Sequence, residues 1–343
     1  MASGAALDAD GSAFYALYHL DPDVGRPRQR FLAWAAELHD ALEQVADAED
    51  PIEVLFGLDV RRLTFMLEGL LRTYRRRYGK PIKKRLQAVK ALEDQLGAVD
   101  YAQAMLDAGR EAQVPKKAVR YLEKSLRKSR KELLRMLEDG WVPDANGRVP
   151  GIAKLVRTLK HITWESREED LATLRGALAR RLEKVAAAEY DMRDLEEGIH
   201  ELRRQLRWLP ICLTALDGVA RLDDDLNPVA EYAPLLRDPL AQSLFAQLPA
   251  SGAEPDPFPL SRSLFVANTK LIGDLGDLKD DLQVIQALTR ACKESGVARK
   301  SKEARAMALH HLGKAPEDVA RTYRKKVQAN ARRLSKRRGP SRS

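Results

Sequence analysis

The residues of this chain best equipped for chemistry lie in one short run, Ile199 to Leu209, which reads IHELRRQLRWL. On a helix, at about 100° per residue, His200, Arg203, Arg204 and Arg207 fall at i, i+3, i+4 and i+7 and share one face. Ile199, Leu202, Leu206 and Leu209 fill the other. A row of guanidinium and imidazole donors over a row of aliphatic side chains suits charge-assisted hydrogen bonding to an anion with repeated charges. Bond-making chemistry finds no such support. The sequence has no GxxxxGK[ST] phosphate loop, no HExxH, no GxSxG and no glycine-rich dinucleotide turn after a strand. No catalytic residue, cofactor or metal is therefore expected. Asp223-Asp224-Asp225 has the look of a magnesium site, but it runs straight into Leu226-Asn227-Pro228 and reads as a loop whose acids favour the next helix N-terminus.

The elements that must position this face are helices. Leu, Ala, Arg, Lys and Glu are abundant and aromatics make up 6% of 343 residues, while 44% hydrophobic content supplies a core. An all-α fold is expected, with no convincing strand alternation. No run of about eighteen apolar residues suggests a membrane span, and MASGAALDADGSAFY has neither the basic nor the apolar region of a signal peptide. Cys212 and Cys292 suggest neither a disulfide framework nor a thiolate metal site, so a reducing cytoplasm is the expected home.

The net charge of +9 conceals strong segregation. Residues 299 to 342 carry fifteen Lys or Arg against Glu303, Glu317 and Asp318, which leaves the chain before position 297 at −3. Residues 1 to 60 hold twelve acids against three arginines, whereas residues 61 to 90 hold eleven bases against Glu68 alone. Blocks of this kind create local potential that the net figure hides.

Proline and glycine breakers, among them Pro51, Gly79, Pro81, Pro115, the run Trp141 to Gly151 and the run Pro249 to Pro259, cut the chain into helical lengths. Helices are expected near 28–47, 52–78, 81–108, 115–139, 151–188, 190–220, 228–248, 261–295, 301–312 and 315–338. A weak internal repeat lies over these segments. Leu58 to Leu67, LDVRRLTFML, aligns with His200 to Leu209, HELRRQLRWL, so that Arg61 matches Arg203 and Arg62 matches Arg204. Further on, Leu96-Gly97 matches Leu275-Gly276. The expected architecture is two pseudo-symmetric helical bundles with a basic C-terminal tail. Its expected segments are an acidic helical 1–50, a first half 51–150, a second half 151–296 and a basic helical or disordered tail 297–343.

His200, Arg203 and Arg207 on one helix, followed by Leu275-Gly276-Asp277-Leu278-Lys279-Asp280, resemble the two motifs of the CHAD domain, a conserved-histidine α-helical domain. The likeness extends from about Pro51 to Ala291. The resemblance implies two four-helix bundles facing each other across a basic surface that binds inorganic polyphosphate without chemistry of its own. This sequence departs from the pattern in its first half. Leu58 stands in the histidine position, Phe65 in that of the second arginine, and Ala98-Val99-Asp100-Tyr101 lacks the basic-acidic pair. The ExExK element of the triphosphate-tunnel domain that can accompany this family is not found.

The residues themselves support the same ligand class, because a flexible polyanion rewards a groove of Arg and Lys through charge-assisted hydrogen bonds and counterion release. The candidate donors are His200, Arg203, Arg204, Arg207, Arg61, Arg62, Arg72, Arg76, Lys83, Lys84 and Lys279. Protonation of His200 would add a charge, so affinity is expected to rise as pH falls below about 6.5 and to weaken with salt. Tyr74 and Tyr78 lie on the Leu63–Leu71 apolar stripe and read as core rather than as base-stacking platforms. The block Lys116 to Arg135 reads first as a structural helix with a basic outside and second as another polyanion surface. Two functions from different classes remain: non-catalytic polyphosphate binding by the helical body, with localisation at cytoplasmic polyphosphate granules, or nucleic-acid binding and scaffolding through residues 299–342.

Overall fold

The structure, a computed structural model, describes residues 11–21, 25–187, 190, 195–226, 230–249 and 257–313. In chain order the helices are α1 (Gly11–Leu17), α2 (Arg26–Ala46), α3 (Pro51–Gly57), α4 (Val60–Glu111), α5 (Lys116–Glu138), α6 (Pro150–Lys160), α7 (Arg167–Ala187), α8 (Glu201–Ala215), α9 (Arg262–Glu294) and α10 (Ser301–His311). The fold is predominantly all-α, as composition leads one to expect. The expected helix 315–338 and the basic arm around it lie outside the described residues.

Gly79 and Pro81 act where the breakers predict. Gly79 adopts φ +63° and ψ −135° inside α4, a conformation that glycine enters without the Cβ clash that other residues meet. The chain reverses there. Arg61, eighteen positions before Gly79, reaches Glu93 (3.0 Å) and Asp100 (2.7 Å) beyond it, contacts that a straight helix would hold about 1.5 Å per residue apart. The arms 60–78 and 80–111 therefore lie side by side.

Four expectations need correction. The helix expected over 52–78 is broken at Leu58-Asp59, where Asp59 takes φ +49°, between α3 and α4. The helix expected over 151–188 is interrupted between α6 and α7, and Trp164 Nε1 donates to the Leu159 carbonyl (3.1 Å) across the break. Ser166 restarts the helix: its N–H and hydroxyl both donate to Glu169 (3.0 Å each), a Ser-x-x-Glu capping box. The segment expected as helix 228–248 forms three short 3₁₀ turns, Ala230–Arg237, Pro239–Gln242 and Leu244–Ala246, two of them containing or beginning with proline. Finally, β1 (Ala220–Asp223) pairs in parallel with β2 (Phe258–Ser261), Ala220 opposite Phe258 and Asp223 opposite Ser261. Four-residue strands are too short to print an alternation on the sequence.

One hydrophobic cluster draws on residues from Phe14 to Phe265, so α2, α4, α6, α7 and α8 share a core that runs across the expected segment boundaries at 50 and 150. At its centre Arg30 Nη1 donates to Asp170 Oδ2 (2.6 Å) and to the Tyr74 hydroxyl (3.0 Å), and Tyr74 donates to Asp170 Oδ1 (2.7 Å). Tyr74 is fully buried beside Phe31 and Trp164, which places it in the core as expected. A second cluster joins Leu106 and Leu122 to Leu288, Ala304 and Ala308, so α10 is docked on the body. A third consists of Ile199, Leu202 and Leu206 against Leu271, Leu275 and Leu278. The aliphatic face of α8 thus beds on α9, which turns the cationic face outward.

Candidate anion-binding cleft

That outward face opens into a cleft of about 670 Å³ between α4, α8 and α9. A single π-helical turn, Leu195–His200, delivers His200 to the start of α8. Of the eleven expected donors, His200, Arg203, Arg204, Arg207, Arg61, Arg72 and Lys279 line this cleft together. The two cationic helices that supply most of them cross at Gly69. A Cβ there would stand 3.2 Å from the Ile211 side chain and 3.6 Å from Cys212 Cα, and the Cys212 thiol lies 3.6 Å from the Gly69 carbonyl.

The other four are elsewhere. Arg62, about 100° round the helix from Arg61, lies over the Trp34 ring (5.7 Å) and within 3.5 Å of Glu37 and of Asp59. Arg76 lines a separate groove with Arg77, Arg180, Glu165 and Glu169. Lys83 and Lys84 are exposed beyond the Gly79 reversal and do not line the cleft. Sequence reasoning also missed residues that do line it: Lys90, Phe65, Trp208 and Tyr101, together with the carboxylates Glu68, Glu93, Asp94 and Asp100. The pairs Lys90 and Asp94 and Glu68 and Arg72, each at i and i+4, are the local signals for these.

The carboxylates change the electrostatics from those of a uniformly basic groove. Seven Lys or Arg and five Asp or Glu line the cleft, an excess of two before His200 is counted. Arg61 is held by Glu93 and Asp100, Arg72 by Glu68 (2.6 Å), Lys90 by Asp94, Lys279 by Asp280 (2.7 Å) and Arg204 by Glu201. Arg203 and Arg207 differ. Among the described residues neither has a carboxylate within ion-pairing distance. Arg203 donates from Nε to the Ile272 carbonyl (3.2 Å) and lies flat over Gly276, whose missing Cβ would sit 3.0 Å from that nitrogen. Arg207 stacks on Phe65, its guanidinium carbon 5.0 Å from the ring centroid.

Burial and the neighbouring Arg203 and Arg61 push the Arg207 pKa down to about 10, against a smaller opposing pull from Glu93. Burial also lowers that of Arg203, with Asp280 and Asp277 opposing. Glu68 moves the other way: burial raises its pKa despite Arg72, and its Oε2 has no hydrogen-bond partner. Two guanidiniums held in a partly desolvated setting, with no carboxylate in contact, make this the candidate place for an external anion.

The two aligned segments of the sequence make matching contacts here. Arg61 lies over Gly97 as Arg203 lies over Gly276, with the absent Cβ of Gly97 only 2.7 Å from Arg61 Nη2. Asp59 pairs with Arg62 as Glu201 pairs with Arg204, each across three residues of helix. Phe65, in the place aligned with Arg207, supplies the ring on which Arg207 rests.

A metal is not suggested by the cleft. Among the described residues one group of three, His39, Asp40 and Glu43, brings metal-ligating atoms within 4.8 Å of one another, outside the cleft on α2. His39 is buried there against Phe14 and Tyr18, with Nε2 3.0 Å from the Gly147 carbonyl, and serves packing. Asp223 accepts from the backbone N–H groups of Asp225 and Leu226, so the acidic triplet is a turn after β1. No helix among the described residues is long and apolar enough to cross a membrane.

No family model matches this chain, and neither a curated protein nor a solved structure matches it. The CHAD resemblance rests on the motifs quoted above.

Proposed function

We propose that the α4–α8–α9 cleft binds inorganic polyphosphate, or a polyanion of the same chemistry, without transforming it. The observation that carries this reading is the pair Arg203 and Arg207, half-buried in the cleft and, among the described residues, without carboxylate partners, while every other Lys or Arg that lines it has one. An uncompensated guanidinium is costly in such a place, and a phosphate oxyanion removes that cost with bidentate hydrogen bonds. The modest excess of positive charge fits a few phosphates seated in the cleft, with the remainder of a long chain left in solvent. In this reading the two Arg-on-Gly contacts are the remnants of two related halves, and the protein works in the cytoplasm at polyphosphate granules.

The test is polyphosphate binding to the full chain and to the Arg203→Ala/Arg207→Ala variant at physiological salt. A loss of tenfold or more, about 1.4 kcal/mol, is expected, and His200→Gln should flatten the rise in affinity expected as pH falls from 8 to 5. The rival reading, binding through the basic C-terminal segment, is tested by truncation. The cut belongs after Gly313, because ending the chain near Gly296 would remove the buried Ala304, Ala308 and Leu309 of α10. Should truncation after Gly313 abolish binding and the double arginine variant retain it, the cleft reading falls.

A further inference from the structure

A second cationic surface, separate from the cleft, runs along α5. Lys116, Lys117, Arg120, Lys124, Arg127, Lys128, Lys131 and Arg135 are all exposed, and at about 100° per residue they fall within an arc of about 120° on one side of the helix. Glu138 in the last turn is the one acid of α5 on that arc. The opposite side carries Ala118, Leu122, Leu133 and Leu137, buried against the rest of the molecule. Glu123 is turned away to Arg110 (3.0 Å). Among the described residues, Lys128 is the one of the eight cations within 4 Å of a carboxylate, Glu132 at 3.9 Å with both side chains largely exposed, which is too loose to neutralise it. The other seven have no ion-pair partner among the described residues.

A solvated helix face ordinarily alternates its charges. This one places like charges at i and i+4 five times over, at 116/120, 120/124, 124/128, 127/131 and 131/135, and each such pair destabilises a helix. The arrangement makes sense when an external polyanion supplies the missing negative charge. The shape of the surface selects among polyanions. From Lys116 to Arg135 the stripe is straight for about 28 Å at 1.5 Å per residue, and it is carried on a convex rod whose inner side is fixed by packing. A duplex is itself stiff over such a length, with a persistence length of about 150 base pairs, and its major groove, about 12 Å wide, admits a helix. A flexible thread would have to surrender chain entropy to lie straight. Single strands are disfavoured for another reason: Tyr121, the one aromatic of the run, sits at the edge of the stripe and is partly buried against the second cluster, so it offers no open ring face on which to stack a base. The stripe consists of Lys and Arg with no amide side chain to pair with adenine, and long cationic side chains of this kind go chiefly to phosphate oxygens, so backbone contacts dominate the recognition.

We propose that the outer face of α5 docks double-stranded nucleic acid through its phosphate backbone, independently of sequence. The experiment is a salt titration of duplex DNA binding by the full chain, read by fluorescence anisotropy, beside the variant Arg120→Gln/Lys124→Gln/Arg127→Gln/Lys131→Gln. Glutamine keeps helix propensity close to that of the residues replaced, and circular dichroism confirms that the helix persists. The variant should lose at least tenfold in affinity, and the slope of log K against log salt should become shallower by about 3.6, roughly 0.9 for each cation removed. Arg203→Ala/Arg207→Ala should leave both quantities unchanged. The proposal is overturned by an unchanged slope in the α5 variant, by loss of duplex binding in the cleft variant, or by polyphosphate displacing the duplex tenfold more effectively than competitor duplex at matched charge.

Discussion

Arg30, buried, and Arg207, half-buried, are both desolvated arginines on helices that pack around α4, and their surroundings could hardly differ more. Around Arg30, α2, α4 and α7 converge with Asp170 and the Tyr74 hydroxyl in direct contact. Burial works against that charge, yet Tyr74 and Asp170 outweigh it and leave the pKa of Arg30 above its usual value. Around Arg207, burial is joined by Arg203 and Arg61, and the pKa falls. The same desolvation therefore gives opposite outcomes. A buried arginine whose counter-charge comes from the fold is a structural tie, whereas a desolvated one with no carboxylate beside it marks a candidate place for an external anion.

The largest test of this contrast is Asp170→Ala. It leaves Arg30 buried without its carboxylate, and chemical denaturation should show a loss of about 3–5 kcal/mol; a stability close to that of the parent chain would end the distinction. Arg207→Met should behave in the opposite manner. With the like-charge crowding removed, the free protein should unfold at the same denaturant concentration or a higher one, by about 1 kcal/mol, while polyphosphate affinity drops at least tenfold, about 1.4 kcal/mol. Instability of this variant would show that Arg207 holds the fold together after all.

Two glycine substitutions sharpen the comparison within the cleft. In Gly276→Ala the new methyl group would crowd Arg203 at 3.0 Å, and because no carboxylate draws Arg203 back, affinity should fall several-fold, on the order of 1 kcal/mol. Gly97→Ala crowds Arg61 at 2.7 Å, but Glu93 and Asp100 retain it, so binding should change less than in Gly276→Ala. Isothermal titration of both variants decides the order. The smallest effect concerns Asp50, which caps α3 and meets Arg130 (2.7 Å). The Glu53 N–H, then Arg130 and the Ile52 N–H, hold its carboxyl below the usual range. The folded pKa lies below the unfolded one, so this contribution is complete above about pH 4 and vanishes as pH falls through the folded value. Asp50→Ala should cost about 1 kcal/mol near neutrality, and melting at pH 3 and pH 7 should show the gap closing in acid.

What could be read from the sequence was whatever depends on neighbours along the chain. The periodicity of 199–209 placed Leu202 and Leu206 inside and Arg203 and Arg207 outside. Gly79 and Pro81 marked the reversal in α4, and the faint repeat put Arg61 with Arg203 and Gly97 with Gly276, pairs that make the same contact. The capping box at Ser166 was equally local but lay inside a long helical stretch without proline, so the break escaped notice. The companions of each cation were a different matter. Glu93 and Asp100 meet Arg61 from more than thirty positions away, and charge blocks counted along the sequence say nothing of such encounters. For that reason the sequence pattern groups Arg62, Arg76, Lys83 and Lys84 with residues they do not join and gives no place to Lys90.

Gly69 gives the cleft one last property. At Gly69 itself the α4 side offers no side chain to act as a cushion, so there the spacing between the arginine rows is set, like the jaws of a caliper, by backbone against the Ile211 side chain, with Phe65 and Arg72 meeting Trp208 on either side. If the cleft holds a polyanion as proposed, its cross-section counts beside its charge, and thickening the contact by a single methyl group in Gly69→Ala would shift which ligands pass the gauge as well as how tightly they hold.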